Sequence, residues 1–222
     1  MENNESGSVE RDKYYLSRRT VMEMLKDRGF SVPTSDVNFS LDDFRRIYGE
    51  SPNIDLLRFS VTHLHDPSKR SLLLQLVGSR LFGVLVFKIL VIFCGPDMVN
   101  LTSVRSLADQ INNEDKLTGL ILILENQMTD KARKSLDLLQ LKLEIFQITD
   151  LLVNVTKHAL KPKYQFLSDQ EKQDLLKKYS IEEEQLPRML KQDVMARYYG
   201  LEKGQVVKIS HGDSDVKYRC VW

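Results

Sequence analysis

Hydrophobic positions change their spacing several times along this chain, and each change predicts an element. Tyr15, Val21, Met22 and Leu25 recur near helical spacing between Tyr14 and Arg28, with Arg18, Arg19, Lys26 and Asp27 on other faces. A core-facing helix is expected there, and Gly29 can end it in a left-handed turn. Ser40 stands three residues before Asp43, a variant of the capping box. It predicts a second helix with Phe44, Ile47 and Tyr48 on one side and a stop at Gly49. Leu57, Phe59 and Val61 alternate with Arg58, Ser60 and Thr62, the period of a half-buried strand. Lys88–Cys94 and Gly119–Leu124 are unbroken apolar runs and predict central strands covered on both faces. Between them a helix carries Val104, Leu107 and Ile111, opened by Thr102 or Ser103. Thr129 can cap another, with Ala132, Leu136 and Leu139 inward, and Leu141, Leu143 and Ile145 then alternate as a strand. Strands alternating with helices argue for an α/β sheet over roughly the first 150 residues.

Thr149–Val155 reads as a short helical link, and the texture changes at Lys157. The basic stretch to Tyr164 contains Pro162, which excludes a helix interior. Ser168-Asp-Gln-Glu171 is a full capping box opening a helix through Leu175, Leu176 and Tyr179, and Ser180-Ile-Glu-Glu183 repeats the signal for a shorter piece. Asp193 can cap a helix that ends at Gly200. Lys203-Gly204 turns into a strand over Gln205–Ile209, and Gly212 turns into a return strand over Val216–Val221. The expected organisation is a disordered polar tail over 1–12, an α/β domain over 13–155 and a small α+β domain over 156–222.

Composition narrows the chemistry. The 222 residues suffice for one or two cored domains, and 42% apolar with 28% charged content fits a soluble globular protein. The net charge of +1, from 32 basic and 31 acidic residues, provides no global field for nucleic acid. Cys94 and Cys220 make neither a disulfide framework nor a zinc spacing, so a reducing compartment is expected. The N-terminus lacks the basic start and apolar run of a signal peptide.

Three chemical readings remain. Pro96-Asp97 and Glu125-Asn-Gln127 resemble the carboxylate pattern of magnesium-dependent nucleases, but Gln127 stands where such enzymes place a lysine. His63 and His65 would share one side of a strand, and two ligands do not make a zinc site. Lys157, Lys161 and Lys163 with Tyr164, and Arg18, Arg19, Lys26 and Arg28 on the first helix, are small basic strips of the kind that touches phosphates. Acidic Glu171, Asp174 and Glu182–Glu184 dilute the field near the first strip. No catalytic residue, metal or cofactor is expected, and no particular residue is singled out for contact with a DNA backbone.

The strings His158-Ala-Leu-Lys-Pro162, Leu186-Pro-Arg188, Ala196-Arg-Tyr-Tyr-Gly-Leu201 and Gly204-Gln-Val-Val-Lys-Ile209 resemble the subunit-5 family of eukaryotic nuclear DNA-directed RNA polymerases. In that family the C-terminal part alone corresponds to a small archaeal polymerase subunit. Thr20–Phe30 and Gly119–Leu124 extend the resemblance to the N-terminal part. Glu144–Asn154, Leu176–Glu183 and Arg219-Cys-Val-Trp222 look most like the plant version assigned to RNA polymerase V.

The resemblance implies a nuclear, non-catalytic subunit. A jaw domain with a nuclease-like α/β core and mixed sheet would lie beside downstream DNA. A C-terminal assembly domain would dock on the largest subunit, with other polymerase subunits as further partners and no membrane. For polymerase V the implied process is non-coding transcription supporting RNA-directed DNA methylation and gene silencing. A shared subunit of polymerases I, II, III or IV is the alternative.

Pro187 and Arg188, Arg197, Tyr198 and Tyr199, and Gly200, Gly204 and Gln205 are the candidate interface residues. Arginine offers a fork-shaped cation, tyrosine a large amphipathic anchor, and glycine a turn. Each tyrosine can instead pack within the small domain's own core.

Three departures from the family pattern stand out. Asp193-Val194-Met195 lacks the usual proline after the aspartate, His211–Asp215 is a short hairpin, and Ser71–Phe87 is an apolar insert. A membrane helix needs about 20 mainly apolar residues. Reaching that length here includes Gln75, Arg80 and Lys88, and each central cation costs roughly 2.5–3.5 kcal/mol. The insert is therefore expected outside both the membrane and the jaw core.

Overall fold

The computed structural model describes residues 2–49, 51–64, 86–112, 114, 117–139, 141–157, 162–211 and 215–222. They fall into two compact units, one ending at Val153 and the other taking Asn154–Trp222.

The first unit opens with α1 (Glu2–Asp27), which turns at Gly29 with φ of 90°. Residues 2–12, expected as a disordered tail, continue this helix. Once the buried stretch around Tyr14–Leu25 supplies a nucleus, each further residue adds a backbone hydrogen bond, and no proline interrupts. After the short α2 (Thr34–Val37), α3 (Leu41–Tyr48) starts where the Ser40 hydroxyl accepts the Asp43 N–H at 3.1 Å. Phe44 is fully buried amid the Tyr15, Phe39 and Tyr48 rings, but Ile47, expected beside it, is 58% exposed because those rings already close the pocket.

Leu57 is buried in a single 3-10 turn, so β1 (Phe59–Leu64) starts two residues later than the alternation suggested. β2 (Val86–Phe93) pairs antiparallel with it, from Phe59↔Val91 to Leu64↔Val86. The last two residues assigned to the apolar insert are thus strand residues, and Phe87 is buried at 5% exposure. The remainder of the insert, 71–85, lies outside the described residues. Two βαβ units follow, through α4 (Leu101–Asn112) to β3 (Leu117–Leu124), and through α5 (Asp130–Asp137) to β4 (Lys142–Gln147). The sheet order is β1-β2-β3-β4, with the last three strands parallel.

Leu90, Ile92, Leu120 and Leu122 face Val104, Leu107, Ile111, Ala132 and Leu136 of the two helices. The alternate residues Ile89, Val91, Ile121 and Ile123 are buried on the opposite face. On that side Phe93 meets Tyr14 of α1 edge-on at 6.2 Å. Burial on both faces is what unbroken apolar runs encode, at about 1.5–3 kcal/mol per large side chain. α4 is capped by Asn100, whose Oδ1 accepts the N–H of Thr102 at 2.9 Å and of Ser103 at 3.1 Å. Thr102 and Ser103, the expected caps, are already helical.

The second unit contains β5 (Lys163–Phe166), α6 (Asp169–Tyr179), β6 (Arg188–Met189), α7 (Val194–Tyr199), β7 (Val206–His211) and β8 (Asp215–Val221). Its sheet runs β5-β7-β8-β6; β7 is antiparallel to both neighbours and β6 is parallel to β8. The Ser168–Glu171 capping box at the head of α6 is complete. Ser180 does not open the next turn. It closes α6 in a left-handed conformation, φ 51°, and its N–H is already bonded to helix carbonyls. Glu182 caps the turn Glu183–Gln185 instead. The β7–β8 ladder reaches His211↔Asp215, so both strands run further into the short hairpin than the alternation suggested. Among the described residues no helix is long and apolar enough to cross a membrane.

Candidate functional site

The expected interface residues cluster in the second unit, on α7, on the turn after it and at the start of β6. Asp193 opens α7 with its carboxylate accepting the Met195 N–H at 2.8 Å. Gly200 closes it at φ 64°, and Leu201 returns its N–H to the Ala196 carbonyl at 2.9 Å. This short helix aims its three large side chains differently. Tyr198 is 4% exposed, and its Oη accepts a hydrogen bond from Asn154 Nδ2 at 3.3 Å. Its phenol is held inside the second unit by Asn154, and a buried phenol needs such an internal partner. Tyr199 is half-buried in an aromatic cluster, 4.5 Å from the Phe166 ring and 6.4 Å from Tyr164 between centroids. Arg197 is half-buried.

Pro187 and Arg188 are exposed. The Arg188 guanidinium lies 4.3 Å from the Trp222 ring centroid, and the Lys203 ammonium lies 5.0 Å from it. Backbone bonds from Trp222 N–H to the Met189 carbonyl (2.9 Å) and from Lys191 N–H to the Trp222 carbonyl (3.1 Å) fix the indole there. The result is an aromatic platform carrying two cations, suited to carboxylates or carbonyls. Gln205 is half-buried, and its Oε1 accepts the Glu202 N–H at 2.7 Å, so it shapes the turn.

The turn also depends on residues that motif reading did not single out. The Lys172 ammonium is bonded to the Glu183 carboxylate and, at 2.8 Å, to the Gly204 carbonyl. The Cys220 thiol reaches Glu183 Oε1 at 3.5 Å. The hydrogen bond from Lys172 holds the Glu183 carboxyl below the usual range. A side chain at Gly204, φ 88°, would press on Glu183 at 3.3 Å. The one available signal was that glycine, which marks a close approach.

The other chemical readings meet specific occupants. Glu125 is ion-paired with Lys13, and its Oε2 accepts the Tyr14 hydroxyl at 2.5 Å, while Asp97 is exposed. Asn126 donates to the Pro96 carbonyl at 3.2 Å, so these residues lace two loops together. Among the described residues no group of three or more His, Cys, Asp or Glu could hold a metal ion. His63 packs edge-on to Phe30 at 5.5 Å; His65, His158 and Lys161 lie outside the described residues. The basic strip on α1 does not present as a strip. Arg28 makes a bidentate pair with Glu144 at 2.8 and 2.9 Å, Arg19 pairs with Glu23, and Arg18 stacks on Tyr48 and Phe59. Burial pushes the Cys94 thiol up to about 11, which makes it a poor nucleophile at neutral pH.

Residues 8–111 match the family model "RNA polymerase Rpb5, N-terminal domain", and residues 153–221 match "RNA polymerase Rpb5, C-terminal domain". Among known proteins, DNA-directed RNA polymerase V subunit 5A of Arabidopsis thaliana is 48% identical, over 97% of this chain and 90% of its own. The subunit 5B of RNA polymerases IV and V from the same plant is 49% identical, over 96% and 92%. Subunit RPABC1 of RNA polymerases I, II and III from Caenorhabditis elegans is 28% identical, over 90% of both chains. Two domain models in the expected order, with relatives matched almost end to end, place the chain in the RNA polymerase Rpb5 family.

Proposed function

We propose that this chain is a non-catalytic subunit of a nuclear DNA-directed RNA polymerase. Its second unit docks on the largest subunit, and its first unit contributes to the jaw around downstream DNA. The observation that carries the reading is the near end-to-end similarity to polymerase subunits. The second unit is also built as a rigid presenting surface, in which Arg188 and Lys203 ride on Trp222 beside the stapled Gly204 turn. Similarity of 48–49% to subunits named for polymerase V and for polymerases IV and V, against 28% to a subunit of polymerases I, II and III, favours polymerase V, polymerase IV or both as the assembly. The process served is then non-coding transcription for RNA-directed DNA methylation and gene silencing.

The test is affinity purification of the tagged chain from plant nuclei, with mass spectrometry of the co-purifying largest subunits. The largest subunit of polymerase V or IV is expected. Recovery free of any polymerase subunit overturns the proposal. Arg188→Ala with Lys203→Ala should lower that recovery severalfold while the protein stays folded, and unchanged recovery removes the platform from the interface.

A further inference from the structure

β8 lies between β7 and β6, yet β6 covers only its last residues. The β6 pairing is Arg188↔Cys220 and Met189↔Val221, whereas β7 pairs along the whole length from Cys220 to Asp215. Among the described residues no strand pairs with the outer side of Asp215–Arg219. The backbone directions follow from alternation along a strand. Val221 sends its N–H to the Gln205 carbonyl on the β7 side, and Cys220 sends its N–H to the Pro187 carbonyl on the β6 side. Counting back, Tyr218 and Val216 point their N–H and C=O groups outward, along the line that β6 would occupy if it were longer.

A cavity of about 310 Å³ opens beside this edge. One wall is Lys217, Tyr218 and Arg219; the other is Leu186 and Pro187, which lead into β6; Leu175, Tyr179 and Ile181 complete it. Successive side chains of a strand point to opposite faces, so lining by three consecutive residues fits a cavity that reaches the strand's edge. The cavity is therefore a fork where the chain before β6 parts from β8. Its size suits a large side chain or two rather than a cofactor.

The charges around the fork are one-sided. Lys217 and Arg219 are the charged lining residues, and Lys178 adds a third cation over the Tyr179 ring at 5.4 Å. Asp215 is paired with Lys217 at 3.3 Å and offsets part of this.

We infer that the outer edge of β8 and the fork beside it accept an extended segment of a partner subunit by strand addition, the segment carrying a large apolar side chain flanked by carboxylates. Its backbone bonds the outward groups of Val216 and Tyr218, its apolar side chain fills the fork, and its carboxylates meet Lys217 and Arg219. Strand addition draws affinity from the main chain and specificity from such pockets. The inference rests on the proposed docking role and names the chemistry of what docks.

The probe is a blocked, fluorescein-labelled nonapeptide alternating Glu with Val and carrying a central Leu, titrated by anisotropy into the full chain. Two control peptides replace Leu with Ser or methylate alternate backbone amides. Saturable binding of the Leu peptide, weakened about tenfold or more by either change, is expected. Val216→Pro removes one outward N–H while leaving the β7 side intact, because proline is tolerated where the N–H faces away from a neighbour. This variant should keep the circular dichroism spectrum and lose the peptide. Lys217→Glu with Arg219→Glu should do the same by charge.

Absence of binding, equal binding of the three peptides or unimpaired binding to Val216→Pro overturns the inference. So does a concentration-dependent dimer abolished by Val216→Pro, which would mean that a second copy takes the edge. If the wild-type chain co-purifies with polymerase subunits but does not bind the peptide, the strand-addition inference fails and the assembly role stands.

Discussion

At the scale of single residues, two largely buried charges decide more than the many exposed ones. Arg28 and Glu144 sit 6% and 16% exposed, and their fork-to-fork contact ties the end of α1 to the edge strand β4. Removing one partner strands the other in low dielectric, at about 3–5 kcal/mol. Arg28→Ala should therefore lower the urea midpoint of the first unit sharply, whereas Arg28→Met with Glu144→Leu should recover most of the loss. Equal loss in both variants would show that packing of the arginine stem matters more than the charge.

Glu183 gives a pH signature. Its folded pKa lies below its ordinary value because of Lys172, so the stability it contributes is present above the ordinary Glu pKa of about 4.3 and disappears as pH falls through the lowered value. Wild type should lose stability between those values more steeply than Glu183→Gln. The contribution is modest, since the side chain is 39% exposed and screened. None of this was legible in the chain's spacing, because Arg28 pairs with a residue 116 positions away and Lys172 with a carbonyl 32 positions away.

At the scale of elements, caps and periodicity predicted more, and failed for reasons of local geometry. Ser40, Thr129, Ser168 and Asp193 cap the helices they were expected to cap, since an oxygen two or three residues ahead of a free N–H group is a purely local device. Ser180 carries the same motif but follows directly on a helix, whose end claims its N–H and forces φ positive. Ile47 and Tyr198 show the complementary limit. Spacing says which positions share a face, while only packing says whether that face is covered.

The missing proline at 194 can be tested by restoring it. Asp193 already has ψ of 139°, the extended value a following proline demands, and Val194 is the first helical residue and 58% exposed. Val194→Pro should raise stability by about 0.4–1 kcal/mol, read from the thermal midpoint. A loss would mean that the Val194 N–H or side chain has a role that this geometry does not give it. Ser168→Ala, which dismantles the complete capping box, should cost about 1 kcal/mol by the same measurement.

At the scale of the whole molecule, the insert is the test of how the first sheet is bounded. Because Val86 and Phe87 belong to β2, removing 71–87 takes a buried aromatic out of the sheet and should destabilise it by about 3–5 kcal/mol, the cost of truncating a core phenylalanine. Replacing 65–85 with a short glycine-containing turn should leave the fold intact, with a circular dichroism spectrum and urea midpoint near wild type. A collapse of the sheet would show that those residues contribute to it.

The pairing of Leu64 with Val86 gives this junction a geometry that tolerates changes of length. Leu64 and Val86 face each other on one rung, so the described ends on either side of 65–85 are already side by side. Each doubling of the connecting length then costs only about 0.6 kcal/mol of closure entropy. The rung works as a splice point. A fluorescent or affinity module joined between Leu64 and Val86 should therefore leave the sheet close to its wild-type stability.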